Sequence, residues 1–336
     1  MANQPFPRSR SPRFLVTIGN TTYREYGRAV SNLMVDTEVN GADHCRIVMT
    51  PEFDHEHATF REFDFDTVAL GTDIDVEMGY GEGSDKQIFS GEIESVNPEY
   101  PADKPPLITV SAYGHTRKMM RGTHSRNWEE KSLDEIVRSV VSDYFDTVEI
   151  ERTKITPSIV IQDNEKDYRF INRLATKYGY EFFSTTGTAY FRPKHGGSAP
   201  GRPVATLRYG EALESFRAER YAPTHAEVEV RYWDREKRKI ISAITRNNSG
   251  VTGQRQVFRL NVDSQTEAKQ IAEAKLLADR IEGVGESFGI PSLVAGTVVK
   301  LDGIGKKYEK NYYVTGASHR IGTNGYRMTF DVTARD

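Results

Sequence analysis

The chain has 336 residues, enough for two or three domains, and its 45 basic and 48 acidic side chains leave a net charge of −3. Charges this evenly balanced give no whole-chain basic surface for nucleic acid. The single cysteine, Cys45, excludes an internal disulfide framework and suits a reducing compartment. No apolar run reaches the roughly 18 residues of a membrane span, and the N-terminus lacks the apolar core of a secretory signal. We therefore expect assembly in the cytoplasm, with no membrane and no specific nucleic acid as partners.

The N-terminal part of the chain has the pattern of short strands. Residues 1–12 contain three prolines and are predicted to form a flexible arm. Apolar segments bounded by turn residues then predict strands at 14–18, 30–39, 44–49, 73–78, 87–96 and 107–113. The proline-containing segment 98–106 is predicted to be a loop. Short strands at this spacing indicate a barrel or a sandwich.

The middle of the chain has a helical pattern followed by a hairpin. Apolar residues at helical spacing from Leu133 to Phe145 predict a first helix that is capped by Ser132, with Glu135 three residues later completing a capping box. A second helix is predicted over 167–178, and Gly179 follows it where a left-handed residue is wanted. Aromatic residues on both sides of a turn at 184–187 then predict a β-hairpin.

The C-terminal part, beyond a linker predicted over 194–203, returns to a strand pattern. Strands are predicted at 226–232, 239–245, 256–262, 297–301, 312–318 and 326–333. One helix is expected between them, capped by Ser264 with Glu267, carrying Ile281 on its apolar face and ending at Gly283.

Two groups of these strands share one pattern. The strands at 73–78 and 88–113 match those at 297–301 and 312–333 in order, in their turns and in their alternation of apolar and polar residues. We therefore predict a mainly β, α+β fold with two tube-like β-barrel domains and an inserted small α/β module. The predicted ranges are an arm over 1–12, a first barrel over 13–120, the module over 121–200, and a second barrel with one helix over 201–336.

Three short motifs invite a chemical interpretation that their surroundings do not favour. Asp54-His55-Glu56-His57 places two histidines among carboxylates, but two ligands do not make a metal site, and a solvated loop is favoured. The glycines of 79–83 are not followed by Lys-Ser/Thr or by a helix, so they predict a turn and no phosphate loop. His44 and Cys45 are neighbours in a strand and point to opposite faces, so they cannot act as base and nucleophile, and Cys45 is predicted to be buried.

Two charged motifs complete the candidates. Glu92 and Glu94 share one strand face and could form an acid/base pair, although charges on the outer face of a strand are much commoner. The basic run at 235–239 is predicted to be a hairpin tip, because no aromatic residues interleave with it as in a single-strand binder. The sequence thus predicts no catalytic, cofactor-binding or metal-binding residues, and it leaves the partner interface undefined.

Three segments together carry a resemblance to a known family. They are Phe89–Ile93 with Thr109–Tyr113, Ile161–Glu165 with Asp167–Ala175 and Tyr178–Tyr180, and Tyr312–Thr315 with His319 and Gly325–Tyr326. These segments resemble the phage late control protein D family, the baseplate hub of contractile tails, and the hub region of type VI secretion spike proteins is similar. The resemblance covers the chain from about residue 14 to residue 333.

The resemblance implies a homotrimer in which six barrels form a ring that adapts a six-fold tail tube to a three-fold spike. Two similar barrels in each of three subunits are an economical match between these symmetries. Spike-fused relatives continue beyond the hub, whereas this chain ends at Asp336, so a separate trimeric spike protein is expected. The other expected partners are a tail tube or tube-initiator protein and baseplate wedge proteins, in the baseplate of a virion or injection particle.

The alternative function is a wall-degrading hydrolase carried in the baseplate. Such an enzyme needs an added domain of roughly 100–150 residues, and the two barrels and the insert leave no room for it. The structural role is therefore favoured.

Overall fold

A computed structural model of the chain describes residues 11–24, 30–81, 85–196, 201–222, 225–235, 238–247, 255–276 and 280–335. Within these ranges the fold is mainly β and of the α+β class, as predicted. The predicted N-terminal arm falls largely on residues 1–10, which lie outside the described ranges.

The N-terminal part is built of strands. They are β1 Pro12–Ile18, β2 Thr21–Arg24, β3 Val30–Glu38, β4 His44–Met49, β5 Phe53–Asp54, β6 Thr59–Phe60, β7 Asp73–Tyr80, β8 Lys86–Glu99 and β9 Leu107–Gly114. The middle part is mixed. Its elements are α1 Thr116–Met119, β10 His124–Glu129, α2 Leu133–Val141, β11 Thr147–Ile150, β12 Ile159–Glu165, α3 Asp167–Tyr178, β13 Tyr180–Thr185 and β14 Thr188–Pro193.

The C-terminal part is again mostly strands. It contains β15 Ala205–Arg208, β16 Leu213–Tyr221, β17 Glu227–Asp234, β18 Lys239–Arg246, β19 Arg255–Arg259, α4 Gln265–Lys275, β20 Arg280–Phe288, β21 Val298–Asp302, β22 Asn311–Gly322 and β23 Gly325–Arg335.

Of the two helices predicted in the middle part, α3 begins and ends where the sequence predicts, and α2 begins where it predicts. Helix α2 ends at Val141, so Tyr144 and Phe145 of its predicted stripe lie beyond it. The carboxylate of Glu135 accepts hydrogen bonds from the backbone N–H and the hydroxyl of Ser132, each at 2.9 Å, which completes the capping box of α2. Helix α3 ends at Tyr178, and Gly179 follows it with a φ of 78°. Glycine is the residue that adopts this left-handed conformation without a steric penalty, because it has no Cβ atom.

The helix predicted near residue 264 is shorter than expected. Ser264 caps α4 by accepting a hydrogen bond from the N–H of Glu267 at 3.1 Å, but the helix ends at Lys275. Ile281 and Gly283 lie in β20, which pairs with β16 and β23. A Cβ atom on Gly283 would lie 2.6 Å from the Phe216 ring, so this glycine allows close strand packing and is no helix terminator.

A second correction concerns the loop predicted over 98–106. Strand β8 continues to Glu99, because Pro98 and Glu99 still pair with Ile108 and Leu107 of β9. The non-paired segment is therefore shorter than the prolines suggest. Proline is tolerated here because β8 has no neighbour on its other side at this point of the described structure.

One large sheet joins the two ends of the chain. Its strands follow the order β16-β20-β23-β22-β3-β4-β9-β8-β7-β1-β2, and β21 with β15 extends it beside β22. The joint between the N-terminal and C-terminal strands is the antiparallel pairing of β22 with β3. Strands β16 and β2 stand at the two ends of this path, which does not close on itself within the described residues.

The sheet contains an internal repeat. The sets β3-β4-β9-β8-β7 and β16-β20-β23-β22-β21 have the same strand order, and every pairing within them is antiparallel. Gly71 and Gly296 precede equivalent strands with φ of 81° and 83°. Their N–H groups donate to Ile93 and Val314 at 2.8 and 2.9 Å. The strand groups that look alike in sequence are thus alike in topology, while the domain boundaries drawn around them stay a prediction.

The middle part of the chain, with α1 to α3 and β10 to β14, is called the helical segment, and it has its own apolar core. Helices α2 and α3 bury their apolar stripes against strands β13 and β14, and α4 together with β17 and β18 closes the same cluster. Leu174 is 2% exposed at the centre of the α3 stripe. Two further clusters fill the N-terminal and C-terminal halves of the large sheet. The α4 helix therefore packs on the helical segment, although it follows the linker in sequence.

Candidate functional site

The helical segment is attached to the large sheet by a buried ionic cluster of Glu181, Arg192 and Tyr313. Glu181 on β13 and Arg192 on β14 are direct cross-strand neighbours, and Arg192 Nε donates to Glu181 Oε1 at 3.0 Å. Tyr313 on β22 donates its hydroxyl to the same oxygen at 2.6 Å. The guanidinium also donates to the Gly296 carbonyl at 2.7 Å, which ties the hairpin to the turn before β21.

The electrostatics of this cluster favour a fixed joint. Glu181 is 5% exposed and Tyr313 is 4% exposed, so the carboxylate charge and the phenol hydroxyl both need local partners. The second carboxylate oxygen of Glu181 accepts the backbone N–H of His195 at 2.8 Å. Burial is the main reason that the pKa of Tyr313 is raised, and the neighbouring Glu181 carboxylate adds to it. The tyrosine therefore stays protonated, and its hydroxyl acts as a donor.

A second buried carboxylate explains part of the motif around residues 161–175. Asp167, the first residue of α3, is fully buried and accepts hydrogen bonds from Gln162 Nε2 at 2.6 Å and from the Tyr144 hydroxyl at 2.7 Å. Arg126 on β10 lies 3.3 Å from the same carboxylate. Burial and the Asp167 hydrogen bond raise the pKa of Tyr144 to about 12. These contacts hold β10, β12 and α3 together, so packing explains the Gln162 and Asp167 positions of this motif.

Glu92 and Glu94, the candidate acid/base pair, line a cleft of about 290 Å³ beside α1. Arg117 donates to both oxygens of Glu94, with the shortest contact at 3.0 Å, and Arg121 adds a contact at 3.2 Å. The Arg117 hydrogen bond is the largest cause that lowers the pKa of Glu94. Glu92 forms an ion pair with Lys118. Both carboxylates thus face cations, and the lowered pKa of Glu94 is the opposite of what a general acid needs.

The other motifs fall in turns and in the core. Asp54 accepts the backbone N–H groups of Glu56 and His57 at 3.0 and 3.2 Å, and His57 is exposed, so these residues form the expected solvated turn. Within the described ranges, no group of three or more His, Cys, Asp or Glu side chains is arranged to hold a metal ion. Cys45 is fully buried, as predicted, and burial raises the pKa of its thiol.

The remaining two motifs are described only in part. The turn predicted over 79–83 begins later than expected, because Gly79 and Tyr80 still belong to β7 and pair with β1. Gly81 has a φ of 64° and accepts a hydrogen bond from Arg13, as suits a turn, whereas 82–84 lie outside the described residues. The basic run connects β17 to β18 as predicted, with Asp234 opposite Lys239, but 236–237 also lie outside the description.

Among the described residues, two groups of apolar side chains stand partly or fully exposed. Phe53, Phe60, Phe65 and Tyr100 contact one another around the β5–β6 hairpin, and Tyr100 is 59% exposed. The sheet of β17, β18 and β19 exposes apolar residues that include Trp233 on β17 and Ile240 on β18. These two residues are direct cross-strand neighbours. Among the described elements no helix is both long and apolar enough to cross a bilayer.

Sequence reasoning did not find the Glu181–Arg192–Tyr313 cluster. Part of the signal was present, because the predicted hairpin with its turn at 184–187 places Glu181 opposite Arg192. Tyr313 is 121 positions further along the chain than Arg192, and only the tertiary fold brings it to them.

Comparisons with known proteins give one family and a group of tail-protein folds. A family model described as the Alg8 N-terminal domain matches residues 13–323. No curated protein matches the chain. The 43 kDa tail protein of prophage MuSo2 from Shewanella oneidensis is 14% identical, with a TM-score of 0.69 over 97% of this chain and 98% of that one.

Two further solved structures have the same fold. The tail protein from Neisseria meningitidis MC58 is 13% identical, with a TM-score of 0.68 over 96% of this chain and 97% of that chain. The E. coli c3393 protein, described as a component of the type VI secretion system, is 12% identical, with a TM-score of 0.60 over 94% of this chain and 76% of that chain. At these identities the likeness is one of fold.

Proposed function

The chain belongs to the Alg8 N-terminal domain family, and from its tail-protein fold we propose that it is a structural subunit of a baseplate hub. In this proposal it forms part of a contractile tail or injection particle, assembled in the cytoplasm. The observation that carries the proposal is the match over nearly the full length of both chains with two tail proteins. A shared fold does not imply a shared function, so the assembly has to be tested directly.

The internal repeat supports a three-fold assembly. Each chain carries two sets of strands with one topology, so a homotrimer presents six similar units around its axis. Such a ring suits a six-fold tail tube, or a tube-initiator protein, on one side and a trimeric spike on the other, with wedge proteins outside. The proposed units are a first barrel over 13–120, a module over 121–200 and a second barrel over 201–336.

The contacts of the helical segment fit a structural role. Two buried carboxylates in its described part, Glu181 and Asp167, are each held by an arginine and a tyrosine partner. The candidate pair for a wall-degrading hydrolase, Glu92 and Glu94, is held by cations.

The test measures mass and assembly together. Light scattering is done on the purified chain alone and on the chain mixed with the spike and tube proteins of its particle. The hub is expected to contribute about 114 kDa, three times the 38.0 kDa subunit. A strain that lacks this chain is expected to make no complete tails by electron microscopy, and a plasmid copy should restore them. A 38.0 kDa species in the presence of spike and tube, with normal particles in the deletion strain, would refute the proposal.

A further inference from the structure

Several strand edges of the large sheet lack a neighbour within the described residues, among them one on β8 and one on β16. The pairing of β8 with β7 ends at Glu92, so the later part of β8, residues 95–99, pairs only with β9. We call this the β8 edge. Apart from a single bridge between Leu213 and Tyr209, strand β16 pairs within the described residues with β20 alone and stands at the end of the sheet. We call its other side the β16 edge. Open edges of this length present rows of backbone donors and acceptors.

The same kind of edge is already used once inside the chain. Strand β22 pairs with β21 over its first part, and its later part, beyond a bulge, pairs with β3. In this internal joint Ser318 is opposite Asp36, and Ile321 is opposite Leu33. These two apolar residues are 7% and 0% exposed, so the joint carries core packing as well as backbone hydrogen bonds.

The β-bulges give the equivalence between the two halves residue by residue. The pairing of β8 with β9 shifts between Ile93 and Ser95, and that of β22 with β23 shifts between Val314 and Gly316. Aligning these shifts makes Asn97 equivalent to Ser318.

The partner strands carry a matching pair of bulges. The pairing of β3 with β4 shifts between Val30 and Asn32, and that of β16 with β20 shifts between Leu213 and Ser215. Aligning these makes Glu219 equivalent to Asp36. Bulges at matching positions fix the register, because a bulge is a local feature of one strand.

We propose that the β8 edge of one copy pairs antiparallel with the β16 edge of a second copy, in the register of the internal β22–β3 joint. Asn97 then lies opposite Glu219 of the second copy, and Pro98 lies opposite its Ala218. The occupant is a second copy because the chain itself contains the partner edge, which in this structure lies at the far end of the sheet. The contact continues a joint that the fold already makes.

The side chains at the proposed joint are complementary. Glu99 is placed opposite Arg217, an acidic residue against a basic one. Tyr100, 59% exposed, is placed opposite Phe216, at the position that Ile321 and Leu33 occupy in the internal joint. Pro98 has no N–H, so the ladder has one donor fewer than the internal joint, in which the equivalent residue is His319.

The joint is head-to-tail, since each copy offers one edge of each kind. Head-to-tail contacts form a ring when the rotation closes and a filament when it does not. Closure after three copies rests on the proposed hub function, whereas the strand pairing rests on the repeat alone. The experiment below separates the two.

The test is disulfide trapping with the double variant Asn97→Cys/Glu219→Cys. Cross-strand pairs of this kind have Cα atoms about 4.5–5.5 Å apart, within the range that a disulfide spans. The control is Asn97→Cys/Ala218→Cys, in which the second cysteine moves one residue and faces the other side of the sheet. The native Cys45 is buried and common to both variants. Mild oxidation followed by non-reducing electrophoresis is expected to give covalent dimers and trimers at least about tenfold more for the first variant.

Three outcomes would overturn the inference. They are equal cross-linking of the two variants, a cross-link within one chain only, and no cross-link in a sample that light scattering shows to be trimeric. The last result would leave the proposed trimer standing and remove the joint. As a second measurement, Glu99→Arg is expected to weaken association by about tenfold, and Glu99→Arg/Arg217→Glu to restore it. Failure of the double reversal to recover association would also contradict the register.

Discussion

Replacing Arg192 with methionine tests whether the buried cluster fastens the helical segment to the sheet. The change removes the 3.0 Å contact to Glu181, the 2.7 Å bond to the Gly296 carbonyl and a 3.0 Å bond to the Tyr313 hydroxyl. It leaves the Glu181 carboxylate, 5% exposed, without a cation. Removing one partner of a buried ion pair costs about 3–5 kcal/mol, a large part of the 5–15 kcal/mol that holds a domain.

The assay is urea unfolding followed by circular dichroism at one protein concentration. The matched control is Arg246→Met, because Arg246 is 73% exposed and its partner Glu227 keeps Arg255 at 2.8 Å. That control is expected to lose less than about 1 kcal/mol. Adding Glu181→Gln to Arg192→Met should recover part of the loss, since it removes the uncompensated charge. Equal unfolding free energies for Arg192→Met and Arg246→Met would refute the reasoning.

Three further predictions concern other buried positions. Leu174→Ala should lower the free energy of unfolding by about 2–5 kcal/mol in the same assay, whereas Thr176→Ala, on the exposed side of α3, should change it by less than about 0.5 kcal/mol; equal effects would mean that the stripe is not buried. Burial lowers the pKa of His319 to about 4, so its stabilising contribution is present above the unfolded pKa near 6.5 and is lost as the pH falls toward 4. The His319→Gln variant should therefore show a flatter loss of stability between these pH values, and an unchanged profile would contradict this. Gly71→Ala should cost about 1 kcal/mol from its positive φ alone, whereas Gly296→Ala should cost clearly more, because its Cβ would lie 2.4 Å from the Phe183 ring; melting temperatures that fall equally would count against it.

The sequence predicted those elements that depend on caps, turn residues and the alternation of apolar residues. Helix α2 begins and helix α3 ends where their caps indicate, because Ser132, Glu135 and Gly179 act on backbone groups within a few residues of themselves. Helix α2 has no such signal at its C-terminus, and it ends at Val141, before the predicted stripe does. The strand groups 73–113 and 297–333 were also recognisable, since alternation and turn glycines are properties of the segment. The burial of Cys45 followed from its place in an alternating strand.

Where sequence reasoning failed, long-range pairing had decided the structure. Ile281 fits a helical stripe, but it lies in β20, because strands β16 and β23 take both of its edges. Pro98 suggests a loop, yet it pairs with Ile108 at an edge where no N–H is needed. Periodicity alone cannot anticipate which strands will lie beside a segment.

The amino-acid sequence by itself determined the mainly β class, the helices of the middle segment and the likeness between the two strand groups. Only the tertiary structure decided that β22 pairs with β3, that α4 packs on the helical segment, and that Glu181, Arg192 and Tyr313 meet. The physical reason is the distance along the chain between the residues that interact. Caps, turns and alternation act between residues a few positions apart, whereas these contacts close loops of up to about 300 residues and depend on the shape of the whole sheet.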